Sequence, residues 1–229
     1  MINEKYVTAI ILVAGNSTRY GINKNKNFEL INNKPVLAYS LKAFNQNQYI
    51  DEIIVAVREE DKSKVEDVIK NEQINKKILI CLGGKTRKES VYNSIKNTAS
   101  DIVIIHDGAR PMIKQNYISK CIESMEEFKG VTIGVKSKDT IKIADSNGII
   151  KESTNRENTW IIQTPQCFDR KILLKLHEKY GDEGITDDCM LLEKSKYKVK
   201  ILEGDYTNIK ITTREDLDVV TEFQTKSIQ

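Results

Sequence analysis

The sequence is poor in the residues and segments that mark disulfide-rich or membrane-spanning proteins. Its 229 residues include four cysteines, three prolines and eleven glycines, and aromatic residues make up 7% of the chain. No pair of cysteines has the spacing of metal ligands, which disfavours both a zinc site and a disulfide framework. The longest apolar runs, at 9–14 and 102–105, fall far short of the roughly 20 residues that cross a bilayer.

An excess of charge of one sign is also missing. The 36 lysines and arginines are nearly balanced by 33 aspartates and glutamates, which leaves a net charge of +3. This balance argues against a protein that binds nucleic acid through bulk charge. Residues 1–5 lack the apolar region of a secretory signal. We therefore expect a cytoplasmic protein with neither a nucleic-acid nor a membrane partner.

Short β-branched segments alternate with segments of helical periodicity. Strands are predicted at 7–14, 53–57, 78–81, 102–106, 131–135 and 199–202. Helices are predicted between and after them, around the apolar stripes that begin at Leu37, Val65, Val91, Ile118, Leu173 and Leu217. This alternation is typical of an α/β fold with a mostly parallel sheet. Ligands of such sheets bind outside the carboxyl ends of the strands, which draws attention to the loops after Ala14, Cys81 and His106.

A hairpin interrupts this rhythm in the second half of the chain. Asn147-Gly148 separates two segments that carry Ile141, Ile143, Ile149 and Ile150. An Asn-Gly pair between such segments predicts a tight β-turn. We expect a single domain over residues 1–229, with a β-arm projecting at about 137–159.

The loop after the first strand has the composition of a phosphate-binding loop. It runs through small residues from Gly15 to Gly21 and carries Arg19 and Lys26. Exposed backbone N–H groups in such a loop bind phosphate oxygens, and the two cations would add charge. The spacing matches neither the dinucleotide-binding glycine motif nor a Walker A motif. A surface loop with solvated basic residues is the alternative.

Two further loops follow predicted strands. Gly83-Gly84 precedes a helix in which Thr86 and Glu89 fit a capping box, and capping explains those two residues better than ligand contact does. Asp107 ends a buried strand, where a carboxylate could hold Mg²⁺ on bound phosphates. The alternative is that Asp107 caps a turn and pairs with Arg110.

The last segments contain a candidate helix start and an isolated lysine. Thr186 is predicted to be an N-cap, with Asp187-Asp188 in the first turn of its helix. Lys210 lies among β-branched residues, away from an obvious acidic partner. If it points inward it needs a counter-charge, and a phosphate would serve. The two histidines, His106 and His177, are interpreted as packing residues.

Taken in chain order, these motifs resemble the cytidylyltransferases that make CDP-methylerythritol in the non-mevalonate isoprenoid pathway. The resemblance spans about residues 7–217. The matching segments are 13–15 with Arg19 and Gly21, 83–90, 106–111, 138–142, Arg156 before Trp160, 163–166, 186–188 and 203–213. The chain departs from the family at Asn25-Lys26-Asn27, which replaces Pro-Lys-Gln, and at Gly108, which replaces Ala and is expected to give the backbone more freedom.

The resemblance implies a Rossmann-like nucleotidyltransferase fold and a homodimer joined through the arm. It implies transfer of CMP from CTP to 2-C-methyl-D-erythritol 4-phosphate, with Mg²⁺ as cofactor and Asp107 as its ligand. The implied catalytic residues are Arg19, Lys26 and Lys210. The implied nucleotide-binding residues are Ala14, Gly15, Gly84, Lys85, Ser90, Asp107 and Gly108. The residues implied to bind the sugar phosphate are Arg110, Thr140, Arg156, Thr164 and Thr186, with Thr140 and Arg156 reached across the dimer.

Two other functions stay open on the sequence. A relative that activates ribitol 5-phosphate would share the fold and the CTP chemistry, although segments 138–142 and 155–156 look like the isoprenoid enzyme. A catalytically silent homologue would bind nucleotide without turnover. It predicts loss of the phosphate-facing cations, whereas Arg19, Lys26 and Lys210 are all present.

Overall fold

The computed structural model describes residues 4–15, 20, 25–180 and 184–226. The strands are β1 (Val7–Leu12), β2 (Leu30–Ile31), β3 (Lys34–Pro35), β4 (Glu52–Val57), β5 (Lys77–Leu82), β6 (Ile102–Asp107), β7 (Gly130–Lys136), β8 (Lys142–Ala144), β9 (Ile150–Ser153), β10 (Trp160–Asp169) and β11 (Val199–Glu203). The α-helices are α1 (Val36–Gln46), α2 (Lys62–Asn71), α3 (Arg87–Lys96), α4 (Gln115–Glu123), α5 (Arg170–Lys179), α6 (Cys189–Lys194) and α7 (Arg214–Lys226). Short 3-10 helices lie at Lys26–Phe28, Glu59–Asp61, Ser124–Glu126 and Arg156–Asn158.

Seven strands form the main sheet, in the order β11-β7-β10-β6-β1-β4-β5. Strand β1 lies near the centre and pairs in parallel with β4 and β6, so that Ala9 stands beside both Ile53 and Ile104. Six strands are mutually parallel, and β10 runs antiparallel between β6 and β7. The prediction of a mostly parallel α/β sheet is confirmed, and each predicted strand and helix is present with ends shifted by a few residues.

Strand β10 was not predicted, although it contributes the most residues to the sheet. Its middle reads Gln163-Thr164-Pro165-Gln166, and proline is usually excluded from the interior of a sheet because it cannot donate a hydrogen bond. The pairing of β10 with β7 is interrupted between Ile162 and Gln166, which accommodates Pro165. The polar run therefore lies at an irregularity of the strand, where the alternation that identifies strands is lost.

Helices cover both faces of the sheet. Side chains of β1 alternate between two cores, with Ala9 and Ile11 on one face and Ile10 on the other. Helices α1, α2 and α4 pack on the first face, and α3, α5 and α6 on the second. Helix α7 packs with β2 around Ile31 and Val220. Among the described helices, none has the length and apolar character needed to traverse a bilayer.

The predicted hairpin forms a separate two-stranded sheet from β8 and β9. Gly148 has a φ of +79°, a conformation that glycine adopts without strain, directly after Asn147. The Asp145 carboxylate accepts the backbone N–H groups of Asn147 and Ile149 at 2.9 and 3.0 Å, which closes the turn. Both strands are exposed along their whole length.

Candidate functional site

A cavity of about 290 Å³ opens at the carboxyl ends of β1 and β6. Its walls contain eight of the residues implied to bind or activate nucleotide, namely Ala14, Gly15, Lys26, Gly84, Lys85, Ser90, Asp107 and Lys210. The remaining lining residues are Leu12, Asn27, Thr86, Arg87, Ala109 and Thr212. Three loops that follow three strands thus meet at one edge of the sheet, as the rule for parallel sheets predicts.

The other predicted site residues are not part of the described cavity wall. Arg19 falls outside the described residues. The described lining of the cavity does not include Gly108, Arg110, Thr164 or Thr186. Thr140 and Arg156 are exposed beside the β8–β9 hairpin. The chain alone does not bring these two side chains to the cavity, and their role at a substrate site stays a prediction.

Helix α3 presents its N-terminus to the cavity. The Thr86 hydroxyl accepts the N–H of Glu89 at 3.1 Å, which confirms the predicted cap. The Glu89 carboxylate accepts the N–H of Lys85 at 2.6 Å, one residue before the position that a capping box requires. The Ser90 hydroxyl donates to the carbonyl of Thr86 and accepts the N–H of Gly84 at 3.0 Å. Capping therefore shapes the loop that lines the cavity.

Gly108 provides space for its neighbours. Its φ lies outside the left-handed region that favours glycine. A Cβ at this position would lie 2.9 Å from Oδ1 of Asn27 and 3.1 Å from the carbonyl oxygen of Leu12. The expected extra freedom of the backbone stays a prediction, and the close approach of Asn27 and β1 is a second reason for the missing side chain.

Asp107 stands at the centre of a cluster of positive charges. Its Oδ2 lies 2.7 Å from Nζ of Lys210, and Nε of Arg87 and Nε of Arg110 each lie 3.8 Å from its carboxylate oxygens. Burial would raise the pKa of Asp107, but the three cations outweigh burial and hold the pKa far below its usual range. The carboxylate is therefore ionised, and three cations face one anion.

Two expectations about this cluster have different outcomes. The predicted pairing of Asp107 with Arg110 is confirmed. The expectation that Lys210 lacks an acidic partner is wrong, because the segment after β11 places its ammonium against Asp107. The backbone N–H of Ile211 donates to the carbonyl of Ala109 at 2.9 Å, which fixes that segment beside the end of β6.

A second buried network supports Arg87. Its Nη1 donates to Oδ2 of Asp188 at 2.5 Å, and the other oxygen of Asp188 lies 3.0 Å from Nε2 of His177. Burial would raise the pKa of Asp188, but Arg87 and His177 outweigh it and lower the pKa. His177 is buried as predicted, but against a carboxylate. Arg87 lies in the matching segment 83–90 but has no role among the implied site residues, because nothing local in the sequence indicates that Asp188 reaches it.

The start of α6 differs from the prediction. Asp188 and not Thr186 occupies the N-cap position, and the N–H of Met190 donates to Oδ1 of Asp187 at 3.1 Å. The exposed Thr186 hydroxyl lies 3.2 Å from Sδ of Met190. Thr186 is outside the cavity wall, and its contact with substrate stays a prediction.

His106 and Thr164 hold the end of β6 against β10. The Thr164 hydroxyl lies 3.0 Å from Nδ1 of His106 and accepts the N–H of Asp107 at 3.1 Å. Nε2 of His106 lies 3.1 Å from the carbonyl oxygen of Arg110. Burial lowers the pKa of His106 to about 4, so that the ring is neutral at pH 7. The interpretation of His106 as a packing residue agrees with these contacts, and Thr164 is buried beneath the site.

The described lining of the cavity contains one side chain of the type that magnesium prefers. Asp107 is the single carboxylate among the described residues that line it. Across the described part of the chain, no three His, Cys, Asp or Glu side chains cluster as metal ligands. This set suits an ion that arrives on substrate phosphates and takes one protein ligand, as Mg²⁺ commonly does.

Comparison with known proteins gives consistent matches along nearly the whole chain. The sequence model of IspD, 2-C-methyl-D-erythritol 4-phosphate cytidylyltransferase, matches residues 7–226. A protein of that name from Caldanaerobacter subterraneus subsp. tengcongensis is 44% identical over 225 residues, 96% of this chain and 99% of the relative. Another, from Clostridium tetani, is 43% identical and covers 95% of this chain and 90% of its own length.

A solved structure extends the likeness to the fold. The crystal structure of 4-diphosphocytidyl-2C-methyl-D-erythritol synthase from Anaerococcus prevotii aligns with a TM-score of 0.86 at 33% identity, and covers 96% of this chain and 99% of its own. The sheet with its single antiparallel strand is therefore the Rossmann-like nucleotidyltransferase sheet of these proteins. By sequence and by structure, this chain belongs to the 2-C-methyl-D-erythritol 4-phosphate cytidylyltransferase family.

Proposed function

We propose that this chain transfers CMP from CTP to 2-C-methyl-D-erythritol 4-phosphate, with release of pyrophosphate, in isoprenoid precursor biosynthesis. The observation that carries the proposal is the surplus of positive charge at the cavity. Lys210, Arg87 and Arg110 face two carboxylates, Asp107 and Asp188. Lys26 and Lys85 line the cavity together with Lys210 and Arg87. A triphosphate and a sugar phosphate supply the missing negative charge.

The reaction needs no covalent enzyme intermediate. An oxygen of the substrate phosphate attacks the α-phosphorus of CTP in line, a new P–O bond forms, and the bond to the β-phosphate breaks as pyrophosphate leaves. Catalysis then consists of positioning and of stabilising negative charge in the transition state. This explains why cations, and not a nucleophile with its base, line the cavity.

Lys210 and Arg87 keep donors for phosphate oxygens beside their ion pairs with Asp107 and Asp188. An ammonium has three donors, and Lys210 directs one of them at Asp107. A guanidinium has five, and Arg87 directs one of them at Asp188. In the proposal Lys26 and Lys210 stabilise the phosphates together with Arg19, and the loop from Gly84 to Ser90 holds the nucleotide.

A magnesium ion bound together with the nucleotide would take Asp107 as its protein ligand and would supply neutralisation of the phosphate charge. Lys210 shares the same carboxylate at 2.7 Å and therefore stands beside the place of reaction.

The proposal includes a homodimer formed through the β8–β9 hairpin. Four isoleucines of the arm, Ile141, Ile143, Ile149 and Ile150, are 39–64% exposed, and Ile161 at its base is 51% exposed. A second chain packed on this surface would cover apolar area that water otherwise contacts. Thr140 and Arg156 would then reach the substrate site of the partner. The four cysteines are free thiols, which suits a reducing cytoplasm.

The test is pyrophosphate release with CTP and Mg²⁺, with methylerythritol phosphate and ribitol 5-phosphate in parallel reactions. Release with the former alone is the expected result. Release with ribitol 5-phosphate alone would retain the chemistry and overturn the acceptor. Release with neither, despite tight CTP binding, would favour a silent homologue.

The oligomeric state is tested separately by sedimentation. A dimer is expected for the native chain, and Ile143→Asp together with Ile150→Asp should shift it toward monomer. A native chain that sediments as a monomer would overturn the arm's role.

A further inference from the structure

Asn25 forms the base of the loop that carries Lys26. It is 8% exposed and caps the 3-10 helix Lys26–Phe28. Its Oδ1 accepts the backbone N–H of Asn27 at 3.1 Å and the side-chain amide of Asn27 at 2.8 Å. Its own carbonyl accepts the N–H of Phe28 at 3.0 Å. The backbone on both sides of Lys26 is therefore fixed by one residue.

The amide nitrogen of Asn25 connects this turn to two other parts of the molecule. Nδ2 donates to the carbonyl of Val13 at 3.2 Å and to Oδ2 of Asp61 at 2.8 Å. Val13 directly follows β1 and precedes Ala14, which lines the cavity. The side chain of Asn25, at the end of the segment 13–25, is therefore hydrogen-bonded to Val13 at the beginning of that segment.

Asp61 is a fixed acceptor for that amide. It is 1% exposed and lies beyond the end of β4. Nη2 of Arg58 lies 2.5 Å from Oδ2, and Nζ of Lys64 lies 3.0 Å from Oδ1. Burial would raise the pKa of Asp61, but the hydrogen bonds from Asn25, Arg58 and Lys64 outweigh it and lower the pKa. The carboxylate stays charged and does not depend on Asn25 for all of its partners.

We propose that Asn25 is a positioning residue for the reaction, because its amide nitrogen, anchored on Asp61 and Val13, sets the position of Lys26 at the cavity. The inference rests on the proposed function, since it concerns how Lys26 meets phosphate. It differs from a simple capping role, in which Oδ1 of Asn25 would stabilise the turn and the donor bonds of Nδ2 would not matter. A displacement of about 1 Å at a reacting site can lower the rate by about 10²-fold.

Asn25→Asp separates the two roles. Aspartate is as good an N-cap as asparagine and keeps the oxygen that Asn27 requires. It has no donor for Val13 and brings a second carboxylate against Asp61. We expect Asn25→Asp to weaken CTP–Mg²⁺ binding about tenfold and to lower kcat by about 10- to 100-fold. A capping role predicts binding and kcat within twofold of the native enzyme, and that result would overturn the proposal.

A double-variant cycle identifies the residue through which Asn25 acts. CTP–Mg²⁺ affinity is measured by calorimetry for the native chain, Asn25→Ala, Lys26→Ala and the double variant. If Asn25 acts through Lys26, Asn25→Ala weakens binding about tenfold in the native chain and less than twofold when Lys26 is already removed. Equal losses in both backgrounds would overturn the proposal.

Asn47→Ala is the matched control. Asn47 is 3% exposed, and its amide donates to Oε1 of Gln115 and Oγ of Ser119, each at 3.0 Å, away from the cavity. We expect it to lower stability without changing CTP affinity. Amide hydrogen exchange at Asn27 and Phe28 needs no substrate and is expected to quicken in Asn25→Asp. A native chain that fails to bind CTP would overturn the proposed function. Unchanged amide exchange at Asn27 and Phe28 in Asn25→Asp would overturn the anchoring role of Asn25, whether or not CTP binds.

Discussion

The two ends of the central strands each contain a buried carboxylate with a lysine beside it. Glu52 stands next to Thr8 at the beginning of β1, and Asp107 stands next to Leu12 at its end. Nζ of Lys77 lies 2.6 Å from Glu52, and Nζ of Lys210 lies 2.7 Å from Asp107. Both carboxylates border a cavity, of about 460 Å³ at Glu52 and about 290 Å³ at Asp107.

The difference between the two ends is the charge balance. Glu52 has one ion pair and accepts the hydroxyls of Thr8 and Thr98 at 3.0 and 3.1 Å, so that its charge is matched within the protein. Asp107 faces three cations, and further lysines line the same wall. The cavity of about 460 Å³ at Glu52 therefore gives no indication of a charged ligand, although its volume exceeds the 290 Å³ at Asp107. Lys210, Arg87 and Arg110 outnumber by one the two carboxylates that they face, Asp107 and Asp188, and such a surplus of positive charge indicates where an anionic ligand belongs.

The largest expected effect is a difference in turnover between variants of Lys210 and Lys77, the two lysines paired with these carboxylates. Lys210→Ala should lower turnover by about 10²–10³-fold, as removal of a charge-stabilising donor does in other enzymes. Lys77→Ala removes the corresponding ion pair at the other end and should leave turnover within twofold of the native value. Pyrophosphate release measures both, with circular dichroism to verify folding. Near-normal turnover in a folded Lys210→Ala would contradict the role of the Asp107 cluster.

Acid should act on the Asp107 end through His106. Burial lowers the pKa of His106 to about 4, below the value of 6.5 expected in the unfolded chain. Well above pH 6.5 the ring is neutral in both the folded and the unfolded state, so His106 does not lower the free energy of unfolding. As the pH falls toward 4, the unfolded chain binds a proton that the folded chain excludes, and about 3 kcal/mol is lost.

Urea unfolding at pH 7 and pH 4.5 measures this loss. His106→Gln should lose less free energy of unfolding between the two pH values than the native chain, whatever its stability at pH 7. An equal loss in both proteins would show that other groups cause the pH dependence.

Substitution of Glu52, the carboxylate whose charge is matched within the protein, should lower stability without changing turnover. Glu52→Gln leaves Lys77 without its ion pair and places an amide between two hydroxyls, so that the free energy of unfolding should fall by about 2 kcal/mol. The value of kcat should stay within twofold, because the cavity at the other end is unchanged. A large fall in kcat, measured alongside urea unfolding, would show that the two ends are coupled.

The smallest effect concerns the close packing behind the cavity. Gly108→Ala should lower the free energy of unfolding by about 1 kcal/mol, because the new Cβ would lie 3.1 Å from a backbone oxygen of β1 that cannot move aside. Urea unfolding would detect this difference. A variant as stable as the native chain would mean that Asn27 and β1 accommodate the methyl group.

Much of the fold follows from local patterns. The β-branched runs predict six of the seven main strands, and Asn147-Gly148 predicts the hairpin, because both depend on residues that are neighbours in the chain. Strand β10 is not predicted from the sequence, because its polar middle and Pro165 remove the alternation of apolar and polar residues by which strands are recognised. The cavity wall was predictable in part, since the loops after parallel strands converge at one edge.

The sequence by itself determined the α/β class, the order of the motifs and the residue types available for phosphate chemistry. Only the tertiary structure decided which charges meet. Lys210 pairs with Asp107, and Arg87 with Asp188, 101 positions away. Asn25 reaches Asp61 across 36 positions. Such contacts depend on which strands lie side by side and on how far each following loop extends, and periodicity along the chain carries no information about either.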